Sequence, residues 1–318
     1  MLKKSLAVFL MASILLLSFF SVPAFAYESE DDFDISDYTW EDIMTMSNEE
    51  FHELLSNFER VYDPFGTYET NPLTVDNKSV QPYWTSGTED MSEQGSHELI
   101  TARACGLVLA DKGFWGTTHN GSIVVALSIS LASIIPDKNL LLGPLDLFKG
   151  HFYDPDTGKN FLGGSSNTAC TNTNKFYQEA LAEYNKNGST EEFIEAVGKM
   201  LHYIQDASEP HHATNIIKGQ NNDVHTKFEE YSDSKINSYI DSLTTLSSSS
   251  YSNAVSASVI SLVNSTARTG KNASVYAMDG DDQTNWDRAA YSTTRSAVQY
   301  SAMLLYKLSV QANIPLTK

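Results

Sequence analysis

Two pairs of side chains constrain this chain more than any other feature: His202 with Asp206, and His225 with Glu229. Each pair is four residues apart, a spacing that puts both groups on one face of a helix. Pro210 lies between them and breaks the helix carrying the first pair, so the second belongs to the next helix. His211 and His212 follow the proline at once. Residues 202–229 thus hold four of the eight histidines in the chain.

The helix expected over residues 190–207 has an apolar stripe of Phe193, Ile194, Val197, Met200, Leu201 and Ile204. His202 and Asp206 fall roughly opposite that stripe, and alone they read as a solvated i,i+4 pair. The repeat at His225 and Glu229, with a further histidine between, shifts the reading to a metal site. Imidazole and carboxylate without thiolate point to zinc before copper or iron.

The surroundings are helical. Spacing predicts helices over 97–111, 122–135, 174–185, 190–207, 225–246 and 289–311, and a Ser/Thr-rich one reaching Ser265. Ser189, Thr190, Glu191 and Glu192 form a start resembling a capping box. The apolar stretch 122–135 is too short to cross a bilayer and is expected to be buried. With no β-alternation and no repeat, the expected fold class is all-α, a compact multi-helix domain over residues 84–318.

The front of the chain differs. Residues 1–26 have two lysines, a long apolar run and a small-x-small ending at Ala24-Phe25-Ala26, the pattern of a secretory signal peptide. Residues 27–83 carry fifteen acidic residues against Arg60 and Lys78. This segment reads either as a disordered acidic spacer or as a propeptide with one docking helix over 48–61, followed by a Pro-rich linker. The net charge of −19 excludes a broad nucleic-acid-binding face. Cys105 and Cys170 lack metal-site spacing, and in an exported protein a bridge between them is plausible.

His202-Tyr203-Ile204-Gln205-Asp206, then Pro210, His212-Ala213-Thr214-Asn215 and His225 to Glu229 resemble the signature of the bacterial zinc-dependent phospholipases C. The block His-Phe-Tyr-Asp-Pro-Asp-x-Gly-Lys, at residues 151–159, is shared as well. Trp84 stands thirteen residues before His97, and Asp137 fourteen before His151, both as in that family. The 235 residues from Trp84 onward match the catalytic domain alone, without an appended lipid-binding β-sandwich.

The resemblance implies three zinc ions. One would take the amine and carbonyl of Trp84 with His97 and Asp206; a second Asp137, His151, His202 and the bridging Asp206; the third His212, His225 and Glu229. It also implies hydrolysis on the glycerol side of a phospholipid phosphate, with Asp137 as general base. The amine of Trp84 exists only after cleavage before it, so residues 27–83 are expected to keep a secreted zymogen inactive until a protease acts.

Around the headgroup, the family's choline-binding Glu and Tyr fall at Gly87 and Lys138, and only Phe148 matches. A cation at Lys138 disfavours a quaternary ammonium, so choline preference is not expected to carry over. The expected partners are a phospholipid surface and the activating protease, with the chain a monomer that binds no nucleic acid. The competing readings are a single-strand zinc nuclease of the same fold, whose last ligand pair tends to be His–Asp, and a non-catalytic zinc-binding secreted protein. His211 reads as a second-shell or surface residue, and His52 and His119 as structural or solvated.

Overall fold

In the computed structural model, the described residues are 33–62, 96–116, 118–138, 148–217, 224–280 and 282–317. Compactness divides the chain after Phe33, and the architecture below is that of the unit Asp34–Lys318. Trp84 and Gly87 lie outside the described residues, as do residues 1–32 and the linker expected at 63–82.

The helices are α1 (Trp40–Thr45), α2 (Asn48–Tyr62), α3 (Ser96–Lys112), α4 (His119–Ala132), α5 (Ile135–Lys138), α6 (Ala169–Asn187), α7 (Glu191–Ser208), α8 (Val224–Asp233), α9 (Ile236–Ile240), α10 (Ser248–Ser256), α11 (Val259–Ala277) and α12 (Gln283–Ala312). Short 3-10 turns occupy Phe148–His151 and His212–Thr214. Among the described residues the sole β pairing is an isolated bridge, Asp154 to Lys159. The fold is all-α. No described helix is long and apolar enough to cross a membrane.

Helix α7 is the axis of the fold, packed against α3, α4, α6, α11 and α12. Its start is set by Thr190, whose hydroxyl accepts from the Phe193 N–H at 3.2 Å, with Glu191 and Glu192 in the first turn favoured by the helix dipole. The apolar stripe expected there is buried throughout. Gly198 lets α4 come close. A Cβ built on Gly198 would lie 2.4 Å from the Cβ of Ala132 and 2.8 Å from the Ser133 nitrogen. Gly270 on α11 does the same for the turn after α7, where a Cβ would lie 2.5 Å from the Ser208 carbonyl oxygen.

Several expected helices changed extent. The one expected over 225–246 is two, α8 and α9, with Lys235 leaving helical geometry between them. The Ser/Thr-rich stretch forms α10 and α11, each opened by a serine cap, Ser247 and Ser258. Helix α6 starts earlier than its periodicity suggested because Thr168 and Thr171 form a reciprocal cap. Cys105 on α3 and Cys170 on α6 are buried free thiols, so the bridge that seemed plausible is not formed. Burial pushes the Cys170 thiol up to about 11.

The acidic segment is partly structured. Thr39 and Asp42 form a reciprocal cap on α1, and Ser47 with Glu50 does so on α2. Phe51, Leu54, Leu55 and Phe58 are buried, as are Ile35, Trp40 and Ile43. Met44 fills the notch left by Gly106 on α3, Trp40 meets Phe114 edge-on with centroids 6.4 Å apart, and Arg103 donates to the Met46 carbonyl at 3.3 Å.

Candidate metal centre

The centre is built on the polar face of α7. Taken in isolation the His202–Asp206 pair reads as solvated, and the repeat at His225 and Glu229 shifts it to a metal site; in the structure His202 is 0 % and Asp206 1 % exposed. Partners from α3, the end of α4 and α5 cover this C-terminal end of the polar side, while Glu195 and Lys199 nearer the start of α7 stay partly exposed.

Asp206 stands at the middle. Its Oδ2 is 2.8 Å from His151 Nδ1 and 3.1 Å from His202 Nε2; its Oδ1 is 3.1 Å from His212 Nδ1 and 3.7 Å from His97 Nε2. Four imidazoles from four separate parts of the chain thus converge on one carboxylate. Asp137, at the end of α5, brings its Oδ1 to 3.5 Å from His202 Nε2 and 3.7 Å from His151 Nδ1. A second cluster adjoins it. His225 Nε2 lies 2.9 Å from Glu229 Oε1, and His212 Nε2 3.8 Å from the same oxygen.

Hydrogen bonds behind these rings fix their orientation. His202 Nδ1 donates to the Ser133 carbonyl at 2.8 Å, which turns Nε2 toward Asp206 and Asp137. Gly198 makes this bond possible, because it lies one turn before His202 on the same face and admits the end of α4. His97 Nδ1 meets Gln205 Oε1 at 2.7 Å, and Gln205 Nε2 donates to Thr101 Oγ1 at 2.9 Å. Such outer partners hold imidazole ligands in the orientation a metal needs.

Electrostatics follow the geometry. Burial would raise the Asp206 carboxyl, but His202 and His151 outweigh it and hold the group well below the usual carboxylate range. Burial pulls His202 down, yet Asp206 and Asp137 more than offset this and raise the ring to about 9. Burial drives His97 down to about 4, and His202 pushes the same way. The carboxylates therefore recruit positive charge to this spot, and the same field favours a dication.

The donors fit zinc. His97, Asp137 and His202 can each offer one ligand atom, all within 4.8 Å of one another; so can His151, His202 and Asp206, and so can Glu209, His212, His225 and Glu229. Every one of these groups is buried, and all the donors are imidazole or carboxylate. Of the residues singled out from the sequence, His97, Asp137, His151, His202, Asp206, His212, His225 and Glu229 are brought together. Phe148 lies partly buried in the turn that carries His151. Lys138 ends α5, directly after Asp137.

Sequence reasoning missed one neighbour, Glu209, and left His211 between two readings. His211 is fully buried, where a surface position was one of its two readings, and its ring stacks on His225 with centroids 4.7 Å apart. Glu209 is equally buried, accepting from His211 Nδ1 at 2.8 Å and from the His212 N–H at 2.6 Å. A signal was present: a carboxylate directly before the helix-breaking proline and two residues before a histidine pair.

Comparison with known proteins agrees with this geometry. Residues 127–276 match the family of zinc dependent phospholipase C. A phospholipase C of Paraclostridium bifermentans is 32 % identical over 119 residues, 35 % of this chain and 29 % of that protein. One from Bacillus cereus is 31 % identical over 93 residues, 29 % of this chain and 32 % of that protein. The match thus spans under a third of the length of these relatives. Among solved structures, the alpha-toxin of Clostridium absonum superposes with a TM-score of 0.59 at 24 % identity, covering 70 % of this chain and 65 % of the toxin, a likeness of fold. The matched stretch, residues 127–276, contains Asp137, His151, His202, Asp206, His212, His225 and Glu229, and over that stretch the chain is similar to the zinc-dependent phospholipases C.

Proposed function

We propose that this chain is a secreted zinc-dependent phospholipase C that hydrolyses the glycerol-side phosphodiester of a phospholipid, giving diacylglycerol and a phosphorylated headgroup. The observation that carries this reading is Asp206 encircled by His97, His151, His202 and His212, all buried, with Asp137 beside them.

Three ions are assigned. Trp84, His97 and Asp206 would hold one; Asp137, His151, His202 and Asp206 the second; His212, His225 and Glu229 the third. Bound zinc supplies Lewis acidity, making water a better nucleophile near neutral pH and neutralising charge as it builds on a phosphodiester. The protein's own groups do the positioning. Ser133 and Gln205 hold two imidazoles in place, Asp206 ties the two halves of the site together, and Asp137 accepts the proton of the attacking water. Phe148 and Lys138 are assigned to the headgroup end, where the lysine's charge favours headgroups other than choline.

Processing belongs to the same proposal. Residues 1–26 direct export, and residues 27–83 are a propeptide removed by a protease that cuts before Trp84. A backbone nitrogen inside a peptide bond is a poor zinc donor, so cleavage would complete the first site.

The test compares the full chain with a chain beginning at Trp84, on choline, ethanolamine and serine phospholipids and on single-stranded DNA. Chelator-sensitive release of phosphorylated headgroup by the shorter chain is expected, with little from the longer one. Full activity of the uncut chain would refute the zymogen, DNA cleavage alone would favour the nuclease, and zinc binding with neither activity a non-catalytic protein.

A further inference from the structure

Glu209 is where α7 ends. Its backbone is extended (φ −71°, ψ 132°), as a residue before proline prefers, and its own N–H still bonds the Asp206 carbonyl at 3.0 Å. This turns its side chain back beneath the His211–His212 turn, where it is 0 % exposed. A carboxylate in that position needs positive charge, since the effective penalty for burying an ion is several kcal/mol. Its hydrogen-bonding partners there are the His211 ring and the His212 N–H.

A second carboxylate lies close by. One oxygen of Glu209, one of Glu229 and one ring nitrogen each of His212 and His225 all fall within 4.8 Å of one another. Two buried carboxylates this close repel when both are ionised, and a cation between them offsets that repulsion. An oxygen that accepts one hydrogen bond keeps a lone pair for another contact. The bonds from His211 and His212 therefore leave each Glu209 oxygen able to ligate.

We propose that Glu209 is a fourth protein donor to the ion held by His212, His225 and Glu229. This rests on the zinc reading above and adds a ligand to it. Two carboxylates and two neutral imidazoles balance the charge of a dication, where the three-residue set would leave one positive charge buried. Four donors also fill a tetrahedral sphere, the arrangement of structural zinc sites, so a substrate oxygen reaches this ion only by making it five-coordinate. Because Glu209 ends α7 while His225 and Glu229 lie on α8, the closed sphere clamps the two helices together.

Crystals of the full chain grown with zinc, with anomalous scattering recorded at the zinc edge, test this directly. The expected result is an ion with a Glu209 oxygen at about 2.0–2.2 Å, alongside His212, His225 and Glu229. An ion on those three residues with water in the fourth position would overturn the inference and leave the proposed function standing. No ion there would overturn both the inference and the third zinc of that proposal. Glu209→Gln keeps an acceptor for the His212 N–H but removes the charge. Under graded chelator it should lose one ion per chain at concentrations about 10–100-fold lower than the unaltered chain, with the others retained. Unchanged retention in a folded variant, judged by circular dichroism, would also count against the ligand.

Discussion

Helices α2 and α7 are both amphipathic by sequence, yet the polar side of α2 meets water while the C-terminal end of the polar side of α7 is interior. On α2 the buried row is Phe51, Leu54, Leu55 and Phe58, while Glu49, Glu50 and Glu53 are exposed. On α7 the apolar stripe is buried, and so are His202, Gln205 and Asp206 on the other side. Amphipathicity says that a helix has two kinds of face. Whether the polar one meets solvent depends on what else in the molecule can satisfy it. Glu49, Glu50 and Glu53 on α2 are met by water, with Glu50 also capping the helix at Ser47. Asp206 needs four imidazoles drawn from α3, the turn at His151, its own helix and the turn at His212.

The sharpest way to break this contrast is to remove the charge at its centre. Asp206→Asn leaves four imidazoles without a shared carboxylate. If the zinc reading holds, metal analysis should find two ions fewer per chain, and headgroup release should fall by about 10³-fold, the several kcal/mol attributed to metal-ion stabilisation of the transition state. A comparable neutralisation on α2, Glu53→Gln, should change stability by less than about 0.5 kcal/mol.

Next in size is the apolar side of α2. Phe58→Ala in the full chain should cost about 3–5 kcal/mol in denaturant unfolding followed by tryptophan fluorescence, because the ring is 0 % exposed. A chain beginning at Trp84 lacks this helix, so comparing its stability with that of the variant measures what the docked segment contributes.

Gly198→Ala probes how closely α4 supports the polar face of α7. The added methyl meets Ala132 at 2.4 Å, and overpacking of this kind costs about 1–3 kcal/mol. The expected signature is double: a lower melting temperature and weaker zinc retention, since the Ser133 carbonyl that orients His202 lies just beyond the contact. A melting shift without any change in zinc retention would separate packing from ligand orientation.

The smallest expected effect is at the caps. Thr190→Ala at the start of α7 and Ser47→Ala before α2 should each cost about 1 kcal/mol. Similar losses at both would show that the helices are alike locally and differ only in what surrounds them.

Much of the fold could be read directly. Periodicity found the apolar rows of α2 and α7, because a 3.6-residue repeat is a local property of the chain. The starts of α6, α10 and α11 depend on Thr168, Ser247 and Ser258 as caps, which weak apolar patterns in those segments did not draw attention to. The break between α8 and α9 at Lys235 has no proline or glycine to announce it.

By itself, the sequence determined which groups are available and how they pair locally: imidazole with carboxylate one turn apart on α7 and again on α8, with a proline to end the first helix. These are consequences of helical geometry and of proline's missing N–H. Only the tertiary structure decided that His202, Gln205 and Asp206 on α7 are interior, that Cys105 and Cys170 stay apart as thiols, and that Glu209 turns inward beside Glu229. Those outcomes depend on close approaches permitted by Gly198 and Gly270 and on groups far apart in the chain. No local pattern encodes them, because the energy of a buried charge is set by whatever the rest of the fold brings within a few ångströms of it.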